Sequence, residues 1–380
     1  MCNNFIFQTG PTQWLRFQEP RAVVHASLPD EVAPALSEIE TAVRRERLYA
    51  AGFLAYEAAP AFDPSFSAHA PSDVPLLWFG LYEAPLVTGA APFHSLSGDY
   101  REDSADPFSV GPWTASVSPD LYEQAFDRIK YHIARGDTYQ VNYTFRLRAP
   151  FHGSPEALFT HLARAQKDGH AAFINTGRHI VCSASPELFF QLDGDRLISR
   201  PMKGTRRRGD PRQDSRQAEL LRASEKDRAE NLMIVDMVRN DMGRIAEIGS
   251  VSVPSLFDIE CYPTVYQMTS TVESRTQAGF PEIMGTLFPC ASITGAPKIR
   301  TMEIIRSCEP DPRGIYTGCI GYYGPDRQAL FNVAIRTAVV KRAENCVEYG
   351  VGGGIVWDSD CALEYQECND KARILPGFCV

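Results

Sequence analysis

The sequence predicts an α+β fold built on antiparallel sheets. Strand-like and helix-like segments are interleaved along the 380 residues, and several strand-like runs follow one another across short glycine turns, the pattern of hairpins rather than of a doubly wound parallel sheet. There is no fixed-period repeat and no low-complexity linker. The length fits one large domain or two ordinary ones.

In chain order, "AAGFLAYEAAPAFDP" and "PLLWFGLYEAP" read as buried strands bounded by proline turns, and the polar stretch 97–112 reads as a loop. "SPDLYEQAFDRIKYHIARGD" is a helix with Ser118 as N-cap, Pro119 in its first turn and Gly136 as its stop. "TYQVNYTFRLRAP" alternates like a strand. "SPEALFTHLARAQKDG" repeats the Ser-Pro start of a helix. "AAFINTGRHIVCSASPELFFQLDGDRLISRP" gives successive strands joined at Thr176-Gly177 and Asp193-Gly194. "SEKDRAENLMIVDMVRNDMGRIAE" carries Leu232, Val235, Met242 and Ile245 at helical spacing. A further helix, "APKIRTMEIIRSCE", precedes strands at "GIYTGCIGYYG" and "ALFNVAIRTAVVK". "DCALEYQECNDKARIL" closes the chain as a helix.

Composition narrows the function. A net charge of −9 argues against a dedicated nucleic-acid binder, and Arg206, Arg207 and Arg208 read as a local solvated loop. No run approaches the ~20 apolar residues that span a bilayer. The start "MCNNFIFQTG" lacks the basic and apolar regions of a secretory leader. Ten scattered cysteines without a CxxC pair point away from zinc and toward reduced thiols, so a cytoplasmic location is expected.

Two helices carry the same acidic spacing: Asp227 with Glu230, and Glu364 with Glu367 followed by Lys371. Residues three apart share a helical face, so each pair presents two carboxylates together. They are either solvated acidic faces or a site where a cation such as Mg²⁺ neutralises them. Gly352, Gly353 and Gly354 are either a strand bulge or a place where backbone N–H groups approach an anion.

"ASPELFF", "RPMKGT", "DRAENLMIVDMVRNDMGRI", "SITGAPKIRTMEII", "RGIYTGCIGYYG", "NVAIRT" and "GVGGGIVWDSDCALEYQECNDKA" occur in this order. Together they resemble the chorismate-binding enzymes, over about residues 118 to 375. The resemblance implies one large domain with two packed antiparallel sheets flanked by helices. Residues 1–110 would be its strand-rich amino-terminal part and residues 111–376 its catalytic region. It also implies chorismate as substrate and Mg²⁺ as cofactor. Glu230 and Glu367 would bind the metal directly, with Asp227 and Glu364 acting through water. Gly352 to Gly354 and Lys371 would meet the ring carboxylate. Tyr316 and Arg336 would hold the enolpyruvyl carboxylate, for which arginine offers a bidentate fork. Gly204 and Thr205 would line the ring. Glu187 would protonate the departing C4 oxygen, since hydroxide is a poor leaving group.

Two positions separate the branches of this family. Water-using members carry a lysine base where this chain has Gln140, and an amide cannot take a proton from water at neutral pH. Anthranilate synthases carry alanine where this chain has Lys203. The aminodeoxychorismate synthase branch is similar here, with a lysine that attacks C2 while the C4 hydroxyl leaves; ammonia then adds at C4 and expels it. A neutral amine is required, which burial would favour. Gln267 stands where anthranilate synthases carry a histidine linked to pyruvate elimination. The family's tryptophan-binding motif is not visible. Neither an amidotransferase signature nor a lyase region follows, so ammonia from a separate glutaminase subunit and a separate lyase are expected. The alternatives are anthranilate synthase component I and an inactive chorismate-binding subunit.

Overall fold

The computed structural model describes residues 3–89, 108–166, 169–208, 214–262 and 265–378. Among them the strands form two antiparallel sheets. The first runs, in spatial order, Gly295–Ala296, Gln140–Gly153, Cys346–Ile355, Thr337–Lys341, His179–Ser185, His170–Asn175, Asn4–Gly10, Gln13–Phe17 and Leu86–Thr88. The second runs Met202–Arg207, Val265–Arg275, Arg196–Arg200, Leu188–Asp193, Gln328–Val333, Cys319–Gly324, Tyr49–Leu54, Leu77–Tyr82 and Ala22–Ala26. The Gly-turn hairpins expected at Gly177 and Gly194 are present, both glycines having positive φ. Most of the expected 97–112 loop lies outside the described residues; Phe108–Val110 forms a short strand against Gln140–Gly153.

Eight helices are described: α1 (Pro29–Glu46), α2 (Pro119–Ala134), α3 (Pro155–Gln166), α4 (Asp214–Ala223), α5 (Glu225–Gly243), α6 (Phe280–Leu287), α7 (Lys298–Cys308) and α8 (Cys361–Ala372). The inner faces of the sheets meet through Phe5, Phe7 and Phe17 from one and Phe53, Trp78 and Tyr82 from the other. α1, α5 and α6 cover the outer face of the second sheet; α2, α3, α7 and α8 cover that of the first. The layers are therefore helix, sheet, sheet, helix, each sheet buried on both faces. That double burial explains the unbroken apolar runs such as Leu77–Tyr82. No described helix is long and apolar enough to cross a membrane.

Local signals are where the sequence places them. The Ser118 hydroxyl accepts from the Leu121 N–H at the start of α2, and the Ser224 hydroxyl accepts from the Asp227 N–H at the start of α5. On α5 the buried stripe is Asn231, Ile234, Val235, Val238 and Met242. Leu232, expected on that stripe, is 44% exposed, because it lies about 100° round the helix from Asn231.

Three further expectations are corrected. The second half of "AAGFLAYEAAPAFDP" is a 3₁₀ turn, Tyr56–Ala61, not strand. "GIYTGCIGYYG" becomes a strand only at Cys319, and residues 314–317 form a turn. "ALFNVAIRTAVVK" is two strands in different sheets: Gln328–Val333 belongs to the second and Thr337–Lys341 to the first. The chain crosses between sheets at 334–336, where Arg336 takes a left-handed φ of 52°. A reverse crossing follows His179–Ser185 and passes through Pro186 and Glu187 into Leu188–Asp193. The two crossings are joined back to back, the Val333 N–H donating to the Glu187 carbonyl at 3.0 Å.

Candidate active site

The crossings, the 314–317 turn, the strands Met202–Arg207 and Cys346–Ile355, and helices α5 and α8 surround one cleft. It is lined by Glu187, Lys203, Gly204, Thr205, Asp227, Glu230, Tyr316, Arg336, Gly352, Gly354, Glu364, Glu367 and Lys371. Gly353 has its backbone just beneath the wall: a Cβ built on it lies 3.5 Å from Glu364 Oε2 and 3.9 Å from both Glu367 Oε1 and Lys371 Nζ. Arg208 stays outside, paired with Asp214 and donating to the Tyr262 carbonyl, and Arg206 does not line the cleft. The Arg207 side chain lies outside the described residues.

Glu187 is 2% exposed, and its Oε1 has no hydrogen-bond partner among the described residues. Burial pushes its carboxyl up to about 7, against the opposing pull of Ser292, the Lys203 ammonium, the Met202 N–H and Lys371. A group poised there can hold a proton at neutral pH and still release it. Lys203 is half-buried rather than desolvated, because it stands in the wall of the cleft and not behind it. It makes no ion pair within 4.0 Å among the described residues; Glu187, Glu230 and Glu367 all feel its charge. A Cβ on Gly354 would lie 2.7 Å from Lys203 Nζ and 3.3 Å from Gln140 Cδ, so this glycine makes room for both side chains. The Gln140 amide is fully buried, and both its oxygen and its nitrogen lack partners among the described residues.

α5 and α8 bring the two acidic pairs to the same wall. Glu230 and Glu364 are both raised above the ordinary glutamate range, primarily by burial and further by their carboxylate neighbours. The Ser359 hydroxyl donates to Glu364 Oε1 at 2.6 Å. Lys226 lies 3.9 Å from Glu230 and 3.7 Å from Glu364. Glu367 faces the open cleft and is held below the ordinary range, first by the Lys371 ammonium 2.7 Å away. Burial pushes the Lys371 ammonium down, but Glu367 outweighs it and the net shift is upward. Lys371 also donates to the Gly352 carbonyl at 2.8 Å. No three His, Cys, Asp or Glu side chains among the described residues form a ready-made metal cage. Mg²⁺ takes one or two carboxylates and fills its shell with water and ligand oxygens. Carboxylates whose ionisation burial opposes suit such an ion, so the donor set fits it.

Around Arg336 the backbone is held in uncommon conformations. Arg336 and Thr317 have φ of 52° and 62°, each costing on the order of 1–3 kcal/mol. Gly204 reaches φ 94°, and a Cβ there would stand 3.0 Å from Asp227 Cβ. Several contributors were not singled out in the sequence. Gln166, at the end of α3, accepts from Arg336 Nη1 at 3.3 Å. A Cβ on Gly350 would fall 2.2 Å from Tyr316 Cγ, so only glycine lets that ring lie on the strand. Lys226, Ser292 and Tyr349 also line the cleft. The YGVGGG glycine pattern could have pointed to Gly350; nothing local in the sequence marks Gln166.

The sequence matches the profile of the chorismate binding enzymes over residues 2–376. The chain belongs to this family. Within the chorismate-binding family it is 44% identical over 267 residues to aminodeoxychorismate synthase component 1 of Klebsiella aerogenes, covering 69% of this chain and 59% of the relative. To that of Salmonella typhimurium it is 37% identical over 320 residues, covering 80% and 70%. Anthranilate synthase component 1 of Streptomyces coelicolor is 39% identical over 268 residues, covering 69% and 52%. The chain thus spans about three fifths of the Klebsiella relative's length. Its fold is that of anthranilate synthase component I from Streptococcus pneumoniae, with a TM-score of 0.81 at 22% identity, covering 98% of this chain and 91% of that one.

Proposed function

We propose that this protein is an aminodeoxychorismate synthase component I, aminating chorismate at C4 with ammonia to give 4-amino-4-deoxychorismate. The observation that carries the reading is Lys203: it lines the cleft without an ion-pair partner among the described residues, beside Gly354 and Gln140, with Glu187 in the same cleft. The relatives named aminodeoxychorismate synthase component 1 support it. In this reading Lys203, once it has given up a proton to solvent, bonds through the lone pair of its neutral amine to C2 of chorismate. The ring double bond shifts, and the C4 hydroxyl leaves as water with the proton of Glu187. Ammonia then adds at C4 and gives up a proton that restores the Glu187 carboxyl, the double bond returns, and the C2–Nζ bond breaks to release the free amine. Arg336 and Tyr316 grip the enolpyruvyl carboxylate, while Lys371 and the glycine strand face the ring carboxylate. Mg²⁺, held by Glu230 and Glu367 with Asp227 and Glu364 behind water, would neutralise substrate negative charge. Its removal by chelation is expected to abolish turnover.

Ammonia would come from a separate glutaminase subunit, and the product would pass to a separate lyase that makes 4-aminobenzoate. A cytoplasmic setting belongs to the same proposal; the eight described cysteines are all free. The second reading, anthranilate synthase component I, draws on the Streptomyces coelicolor relative. One experiment separates the two. Purified protein is incubated with chorismate, Mg²⁺ and ammonium, with and without added lyase, and the products are chromatographed. The reading holds if 4-aminobenzoate forms only with lyase and Lys203→Ala loses at least ~100-fold of it. Anthranilate formed without lyase sinks it.

A further inference from the structure

We propose that the Tyr349 hydroxyl is a third donor to the substrate carboxylate placed between Arg336 and Tyr316. The inference rests on the chorismate reading of the cleft. Tyr349 is 1% exposed, and its hydroxyl has no hydrogen-bond partner among the described residues. A buried hydroxyl left unpaired costs ~1–3 kcal/mol, so an orphan of this kind asks for a partner. Tyr56 and Tyr143 also carry buried hydroxyls without a partner among the described residues, but neither lines the cleft, whereas Tyr349 does.

Its position explains the choice. Tyr349 lies in the strand Cys346–Ile355. It pairs across the sheet with Ala338, two residues beyond Arg336. The Arg336 guanidinium is the charge that reaches the phenol. Burial raises the phenol above its ordinary range, so it stays protonated and can only help an anion by donating. Arg336 spends one N–H on Gln166, which fixes the guanidinium without satisfying the rest of its fork. A carboxylate entering there meets a guanidinium from a crossing, a phenol from a turn and a second phenol from a strand.

The test is Tyr349→Phe, which keeps the ring and removes the oxygen. Chorismate is titrated calorimetrically in the presence of Mg²⁺, steady-state rates are taken with ammonium, and melting temperatures are compared. A hydrogen bond to a charged group is worth ~1.5–3 kcal/mol, so a weakening of chorismate binding by ~10-fold or more is expected. The change should fall on KM far more than on kcat, because the carboxylate is held alike before and during reaction. The melting temperature of the free protein should not drop, since an unpaired oxygen is removed. Affinity and KM within twofold of wild type, or a lowered melting temperature with unchanged affinity, would overturn the inference while the wild type still binds chorismate. A wild type that does not bind chorismate overturns the underlying reading instead.

Discussion

Glu187 shows what burial does to one side chain. Its carboxyl is raised to about 7, so the folded protein holds a proton there that the unfolded chain releases near the ordinary glutamate value. The native state therefore binds more protons than the unfolded state between about pH 4.5 and 7, and this group costs stability as pH rises through that window. Activity should follow the same proton: the wild-type rate is expected to fall on the alkaline side of about pH 7. Glu187→Gln should lose ~10²–10⁴-fold in kcat. In urea titrations from pH 5 to 8 it should lose less stability than the wild type. Gly354 makes a second case. Ala at this position puts a methyl 2.7 Å from Lys203 Nζ; the lysine end can move aside, but a misplacement of about 1 Å costs on the order of 10²-fold in rate. Near-normal folding with that loss in turnover is the expected outcome for Gly354→Ala, read by circular dichroism alongside product formation.

Among the elements, the turn that presents Tyr316 is held from beneath by a buried ion pair. Arg313 makes a double contact with Glu309, at 2.7 and 2.9 Å, and reaches the Ile293 and Asn142 carbonyls. Glu57 accepts from the Arg313 and Gly314 N–H groups. Breaking a buried pair by removing one partner costs ~3–5 kcal/mol, so Glu309→Gln should lower the denaturation midpoint sharply, although Glu309 does not line the cleft. Little of this was legible in sequence: Glu309 and Arg313 are four apart but lie beyond the end of α7, in a stretch broken by Pro310 and Pro312, and Glu57 joins them only in the fold. The helices with Ser-Pro or Ser caps were legible, since their signals are local: Ser118 and Ser224 cap α2 and α5 as their sequence says. The crossing at Arg336 was hidden. Apolar alternation runs through "ALFNVAIRTAVVK" without a break, and only the tertiary structure reveals that its halves belong to different sheets.

For the whole molecule, the antiparallel α+β class was legible from interleaving, and the residues that come to line one cleft were picked out by motifs that lie far apart in the chain. What the sequence could not supply was the geometry that joins α5 to α8 across one cleft. That geometry has an energetic consequence. In the proposed reading Mg²⁺ would offset the repulsion that a dianionic substrate meets from the carboxylates of Glu230, Glu364 and Glu367, so each ligand should raise the other's affinity by the same factor. In thermal melts, chorismate with Mg²⁺ should stabilise the protein by more than the sum of the two alone, and excess chelator should erase the surplus.

The strand order also sets a timetable. Cys346–Ile355 is the described strand nearest the carboxyl end, yet it is an interior strand, lying between Gln140–Gly153 and Thr337–Lys341. During synthesis the first sheet must wait with an open gap until this strand leaves the ribosome, its unpaired edges exposed to neighbouring chains. A fragment ending at residue 345 should therefore be insoluble rather than merely inactive. The glycine strand that shapes the cleft is also the piece whose arrival lets the protein finish folding.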